Sequence, residues 1–319
     1  MMKKFIIYLL PALILFSCKK EGSLLPSNVD KNFFEIIDNP SDSVDHAIFQ
    51  FYQSTKIPVF YKDTIGIDAR VDPFGISYNF YKKLGVDYNP DFQTLKFGLV
   101  TKYLNLKKKA DVIPALKFLS TYIVPALPKG VLPQSFFVPD TLNNAIYGTR
   151  AYKGFNTVVI GAVPRISKLG ANEINLHRAA ILRAIASAYV LDAKNTAFLN
   201  SNFYSVSRAF LTTPDIYGLS IYNIASLKGI SSAVYNNYTA SYLQTLGFLG
   251  KDPSISDFGF PSIYNIQSPP TYLDVNQFIE ASFTYSTAQF TAMYGSNVAI
   301  MKKYNAIKSL LTGLGFVIN

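Results

Sequence analysis

Hydrophobic positions recur along the chain at helical and strand periods, and they predict a mixed fold. Phe33–Ser54 reads as a helix in two pieces, broken around Asn39-Pro40, with Ser41 or Ser43 capping the second piece. The apolar face of that piece holds Val44, Ala47, Ile48, Phe51 and Tyr52. Ile57–Tyr61 predicts a short strand. Ala110–Tyr122 predicts an amphipathic helix, because Val112, Ile113, Leu116, Leu119 and Ile123 follow helical spacing; Pro125 and Pro128 end it. Ser135–Val138 and the strongly apolar Asn156–Val163 predict strands. Asn172–Leu191 predicts a helix that is apolar or small around most of its circumference, hence central and buried. Beyond it, polar loops alternate with helices: one within Ile230–Leu249, one over Val275–Ala292 and one over Ala299–Gly313. No internal repeat or low-complexity linker interrupts residues 31–319, so a single globular domain is expected there.

The amino end is patterned differently. Lys3 and Lys4 precede an apolar run, Phe5–Phe16, broken only by Pro11. At 12 residues the run falls short of the ~20 needed to span a bilayer as a helix, and it fits the core of an export signal. Leu15-Phe16-Ser17-Cys18 resembles a lipobox, with Phe16 bulkier than that pattern usually carries. The resemblance implies that residues 1–17 are a signal peptide and that Cys18 becomes the acylated first residue. Multiple acyl chains hold a protein on a membrane stably. Lys19–Asp30 then reads as a tether. No Asp follows the cysteine, so the outer membrane is the expected address, with its periplasmic and outer faces both open.

Cys18 is the only cysteine, which excludes disulfides in the mature domain. Removing Lys3 and Lys4 from the formal charge of +10 leaves +8. The basic residues are scattered, and an exported protein rarely meets nucleic acid, so nucleic acid is not an expected partner. Their one cluster, Lys107-Lys108-Lys109, reads as a solvated face or as a contact for an anionic glycan. The 22 Tyr and 25 Phe, with no Trp, fit a core and a half-buried surface better than a carbohydrate platform.

Three segments together resemble the substrate import-associated zinc metallohydrolase lipoproteins of Bacteroidetes, zinc-binding metallopeptidases found beside SusC/SusD-type glycan importers. The first runs from Val112-Ile-Pro-Ala-Leu-Lys-Phe-Leu119 through Tyr122-Ile-Val-Pro125 to Leu132-Pro-Gln-Ser-Phe-Phe-Val138. The second is Thr157-Val-Val-Ile-Gly161 with the Asn172–Leu191 helix. The third joins Ser262-Ile-Tyr-Asn-Ile-Gln-Ser268, Asp274–Glu280, Met301-Lys-Lys-Tyr304 and Gly313–Ile318. The resemblance implies an α+β, zincin-like fold: a small twisted sheet on a central helix, with a largely helical carboxyl half.

The departure from that family lies on the central helix. The family carries His-Glu-x-x-His there, two zinc ligands and a general base on one helical face. In this register the five positions are Arg183-Ala184-Ile185-Ala186-Ser187, so ligands and base are replaced. Glu280 matches the family's remaining acidic position and reads either as a site residue or as a surface glutamate. His177, with Glu173 one turn earlier, reads as a core-edge or capping histidine rather than a ligand; His46 sits in the amino-terminal helix. Arg183 shares a helix stripe with Leu176, Ala180, Ser187 and Val190. It either snorkels to water or takes the place of the metal and pairs with Glu280, where a bidentate guanidinium would satisfy the carboxylate.

These readings imply a non-catalytic binding or accessory lipoprotein without a cofactor. Its expected partners are the membrane, a SusC/SusD-like importer and a glycan or peptide ligand. The alternatives are a zinc-dependent hydrolase with a non-standard site and a purely structural role.

Overall fold

A computed structural model describes residues 31–86, 101–254 and 262–318. The segments expected as signal peptide and tether, with Cys18, lie outside the described residues. Eight strands and six longer helices organise them: β1 Val59–Phe60, β2 Thr64–Val71, β3 Ser77–Lys83, β4 Lys102–Leu104, β5 Phe136–Phe137, β6 Thr141–Asn143, β7 Ala151–Lys153 and β8 Val158–Ile160, with α1 Ser43–Thr55, α2 Val112–Phe118, α3 Ala171–Val190, α4 Thr271–Thr284, α5 Thr287–Tyr294 and α6 Val298–Gly313. Further helices of three to seven residues alternate with loops between α3 and α4. No helix among the described residues is long and apolar enough to cross a membrane.

The described residues form two compact units. One is Gly66–Lys82 with Lys31–Phe33, most of it the two-stranded sheet β2–β3. The other is Phe34–Ile65 with the described residues from Lys83 onward. Its main sheet has the order β1-β5-β8-β7, parallel except for the hairpin pair β7–β8. Alternation sends neighbouring side chains to opposite faces. Phe136, Val158 and Ile160 therefore join the main core with α1–α4 and α6, while Phe137, Val159 and Tyr152 join a second cluster with Leu84, Val86 and Leu142. Gly161 ends β8 so close to the backbone of Thr149 that an added Cβ would lie 2.1 Å from its carbonyl oxygen.

Central burial suits the composition of α3. Ala179, Ala180, Ala184 and Ala186 are at most 2% exposed, and their small side chains let β7, β8 and α4 approach closely. Asn175 and Arg178 donate to the carbonyls of Thr284 and Phe283, so side chains of α3 satisfy the last turn of α4. The pairing order (175 with 284, 183 with 280) makes the two helices antiparallel.

Several expected elements form differently. Residues 33–42 are not helical, and α1 is capped by Asp42, which accepts from the N–H groups of Val44 and Asp45. Ser41 instead donates to Asn39. The Ala110–Tyr122 helix passes from a 3-10 turn through α2 to a π turn at Leu119–Ile123, and this leaves Ile113 41% exposed rather than on the packed face. Val275–Ala292 is broken at Tyr285-Ser286, where Ser286 and Gln289 form a capping box that starts α5. Ile230–Leu249 holds two short helices, Ser232–Tyr235 and Ser241–Thr245, in place of one.

Candidate functional site

Arg183 sits halfway along α3 with its side chain 3% exposed. Its guanidinium is held from three directions. Nε donates to Glu280 Oε2 at 2.7 Å, and Nη2 donates to the Ala151 carbonyl of β7 at 2.8 Å. The flat face lies 4.1 Å from the centre of the Tyr147 ring. Carboxylate contact runs through one nitrogen, not the two-pronged fork that the sequence led us to expect, because Nη2 is taken by the strand. Tyr147 is itself fixed: its N–H donates to Asn144, and its hydroxyl accepts from Asn276, one turn before Glu280 on α4.

The other aligned positions contribute no polar group to this cluster. Ala184 is fully buried, and the Ser187 hydroxyl turns back to the Ala184 carbonyl at 3.4 Å. His177 is 2% exposed with its ring edge-on to Phe118 at 5.5 Å, and its Nε2 has no hydrogen-bond partner. Burial, with the charge of Arg150 adding to it, holds this imidazole down to about 4, so it is neutral at physiological pH. Glu173 receives the Gly170 N–H at the start of α3. His46 bridges Asp38 and Gln50 on the surface. No three His, Cys, Asp or Glu residues group closely enough to hold a metal ion among the described residues.

A second charged constellation escapes a reading by motif. Lys303 of α6 and Asp274 of α4 form an ion pair in which both side chains are 0% exposed. Lys303 also donates to Ser207 at 3.0 Å, and the Tyr217 hydroxyl donates to Asp274 at 3.0 Å. The rings of Phe203, Phe248 and Phe278 stand 4.5, 4.6 and 5.2 Å from the ammonium. Burial pushes the Asp274 carboxyl up and the Lys303 ammonium down, while each charge opposes the other's shift. The signal was present in the sequence: Lys303 falls on the apolar stripe Ile300, Tyr304, Ile307 and Leu311.

The basic cluster divides. Lys107 and Lys108 are exposed, whereas Lys109 pairs with Asp42 and Asp45 at the start of α1 and holds the Asp42 carboxyl below its usual range. A cleft of about 200 Å³ opens elsewhere, between Leu132–Gln134, the β7–β8 turn and Ile185, Ala188 and Tyr189 of α3. Its turn is pinned by Asn156, whose side chain accepts from the Gly85 N–H and whose carbonyl accepts from Ser135. Ile185 and Arg183 project from different sides of α3, so this cleft is separate from the Arg183–Glu280 pair. Comparison with protein-family models, curated proteins and solved structures yields no match for the chain.

Proposed function

We propose that this chain is an outer-membrane lipoprotein, acylated at Cys18, whose zincin-like domain has exchanged its metal for an arginine and serves as a non-catalytic binding or accessory component beside a SusC/SusD-type importer. The observation that carries the reading is Arg183. A permanently charged guanidinium stands on the helix at the first ligand position of the resembled motif and occupies Glu280, the acidic residue that would otherwise be free for a metal. A divalent cation placed there would meet a buried positive charge that already has its partners. Neutral His177 is packed against Phe118 on another part of α3. The cleft beside β7 offers a ligand an apolar floor with Lys153 at its side. Its volume lies below the ~300–1,000 Å³ usual for small-molecule sites, which suits a side chain or one ring rather than an extended oligomer.

Elemental analysis of protein purified with zinc in every buffer tests this. The expected result is less than stoichiometric zinc, unchanged by Glu280→Gln. Stoichiometric zinc that disappears in Glu280→Gln or His177→Ala would instead establish a metallohydrolase with a non-standard site.

A further inference from the structure

Over residues 67–71 and 77–81 the β2–β3 hairpin has one face without charge, with Lys83 following at its far end from the turn. Arg70 donates to Asp68 at 3.2 Å and lies 3.7 Å over the Phe80 ring, so these three residues share a face. Strand alternation then places Ile67, Ala69 and Val71 on the opposite face, with Ser77, Asn79 and Tyr81 from β3. Ile67 is 55% exposed, Val71 60% and Tyr81 52%. At the turn Phe74 reaches 88% and Ile76 63%. The turn holds Phe74 outward by design of its backbone: the Asp72 carboxylate accepts from the N–H groups of both Phe74 and Ile76. An exposed apolar face on a sheet that pairs only two strands among the described residues is an aggregation hazard unless something covers it.

The chain itself indicates what covers it. Lys31–Phe33 belongs to the same compact unit as the hairpin, and the Phe33 ring packs on its Asp68–Arg70 face, where an added Cβ on Gly66 would meet it at 2.1 Å, which leaves the apolar face open. Only residues 19–32 separate Phe33 from Cys18, a reach of at most about 50 Å when fully extended. A bilayer holding acylated Cys18 would therefore lie within that reach of the unit that carries the hairpin. The composition of the apolar face suits the headgroup boundary, where Tyr rings sit, with Phe and Ile beyond.

We propose that the β2–β3 hairpin is a second, non-covalent membrane contact, inserting Phe74 and Ile76 at the lipid–water boundary of the membrane to which Cys18 is anchored. The proposal rests on the lipoprotein reading above. The chain contains no tryptophan, so Phe74→Trp is a single-site reporter. The full chain carrying it is expressed, purified in lipidated form and reconstituted into vesicles of phosphatidylethanolamine and phosphatidylglycerol, with and without brominated acyl chains. Phe155→Trp, at an exposed aromatic of the other unit, is the comparison. The expected result is emission shifted to shorter wavelength and more than half quenched by brominated lipid for Phe74→Trp, with neither change for Phe155→Trp. An acylated chain whose Phe74→Trp emission stays unshifted and unquenched overturns the hairpin proposal and leaves the lipoprotein reading standing. Equal quenching at both positions overturns it as well, since contact is then unspecific. A dimer in solution abolished by Phe74→Ser makes a second copy the occupant. A mass spectrum showing an unacylated amino terminus removes both readings.

Discussion

Glu280 and Arg183 are unequal partners because they differ in access to water: the glutamate side chain is 33% exposed and the arginine 3%. Deleting the arginine leaves a carboxylate that can rehydrate. Deleting the glutamate leaves a buried cation with one carbonyl and one ring. Arg183→Met is therefore expected to cost about 1–2 kcal/mol and Glu280→Ala about 3–5 kcal/mol, measured by urea unfolding; the reverse order would place the water on the other side of the pair. Lys303 and Asp274 have no such asymmetry. Lys303→Met strands a fully buried carboxylate and is expected to cost about 3–5 kcal/mol. Adding Asp274→Leu is expected to restore most of that stability, short by about 1 kcal/mol for the Tyr217 hydroxyl left without its acceptor. If the double variant is no better than the single, packing of the Lys303 stem matters more than its charge.

Among the elements, α3 decides most of the interior, and it also carries the acid sensitivity. His177 keeps an imidazole that resists protonation down to about 4, whereas the unfolded chain protonates it near 6.5. Between those values the unfolded state binds the extra proton, so stability falls as pH drops through this window, by up to about 3 kcal/mol. Above the window the contribution is fully present. His177→Leu removes the titrating group and the unpartnered Nε2 together; its unfolding free energy should lose less than the parent's between pH 7 and pH 4.5. Equal losses would assign the acid sensitivity to carboxylates. α3 was also the most legible element, because its apolar circumference lies in the sequence. α4 and α5 merged into one expected helix because Tyr285-Ser286 is no strong breaker, and the capping box that separates them becomes evident only when Gln289 turns back. β2 and β3 were missed for a different reason. Ile65, Ile67, Ala69 and Val71 do alternate with polar or small residues as a strand requires, but β3 has no matching alternation, and the face that Ile67 and Val71 form is exposed rather than part of the core.

At the scale of the molecule, what the sequence disclosed best was charge out of place. Arg183 stood out on an apolar helix, and it lies against Glu280 across 97 residues of chain. Lys303 stood equally out of place, but its partner and its aromatic surround come from three separate segments that share no spacing rule. The cleft beside β7 could not be read at all, because it is defined by the turn that Gly85 and Asn156 hold in place. Its relevance to ligand capture is open to a direct measurement. Ala188→Phe, on the cleft wall, is expected to abolish binding of any glycan or peptide fragment that protects Lys153 from modification, while leaving thermal unfolding cooperative. Retained protection would move the ligand elsewhere.

Lys303 has a consequence for how the protein breathes. An amine sealed among Phe203, Phe248 and Phe278 cannot meet an acylating reagent in the closed state. Lys107 and Lys108, exposed, react without any opening of the fold. Position by position, the appearance of acyl adducts by mass spectrometry thus times two separate events in one sample. The second clock, at Lys303, starts only when α4 and α6 part, and its rate at saturating reagent is the opening rate of the carboxyl half.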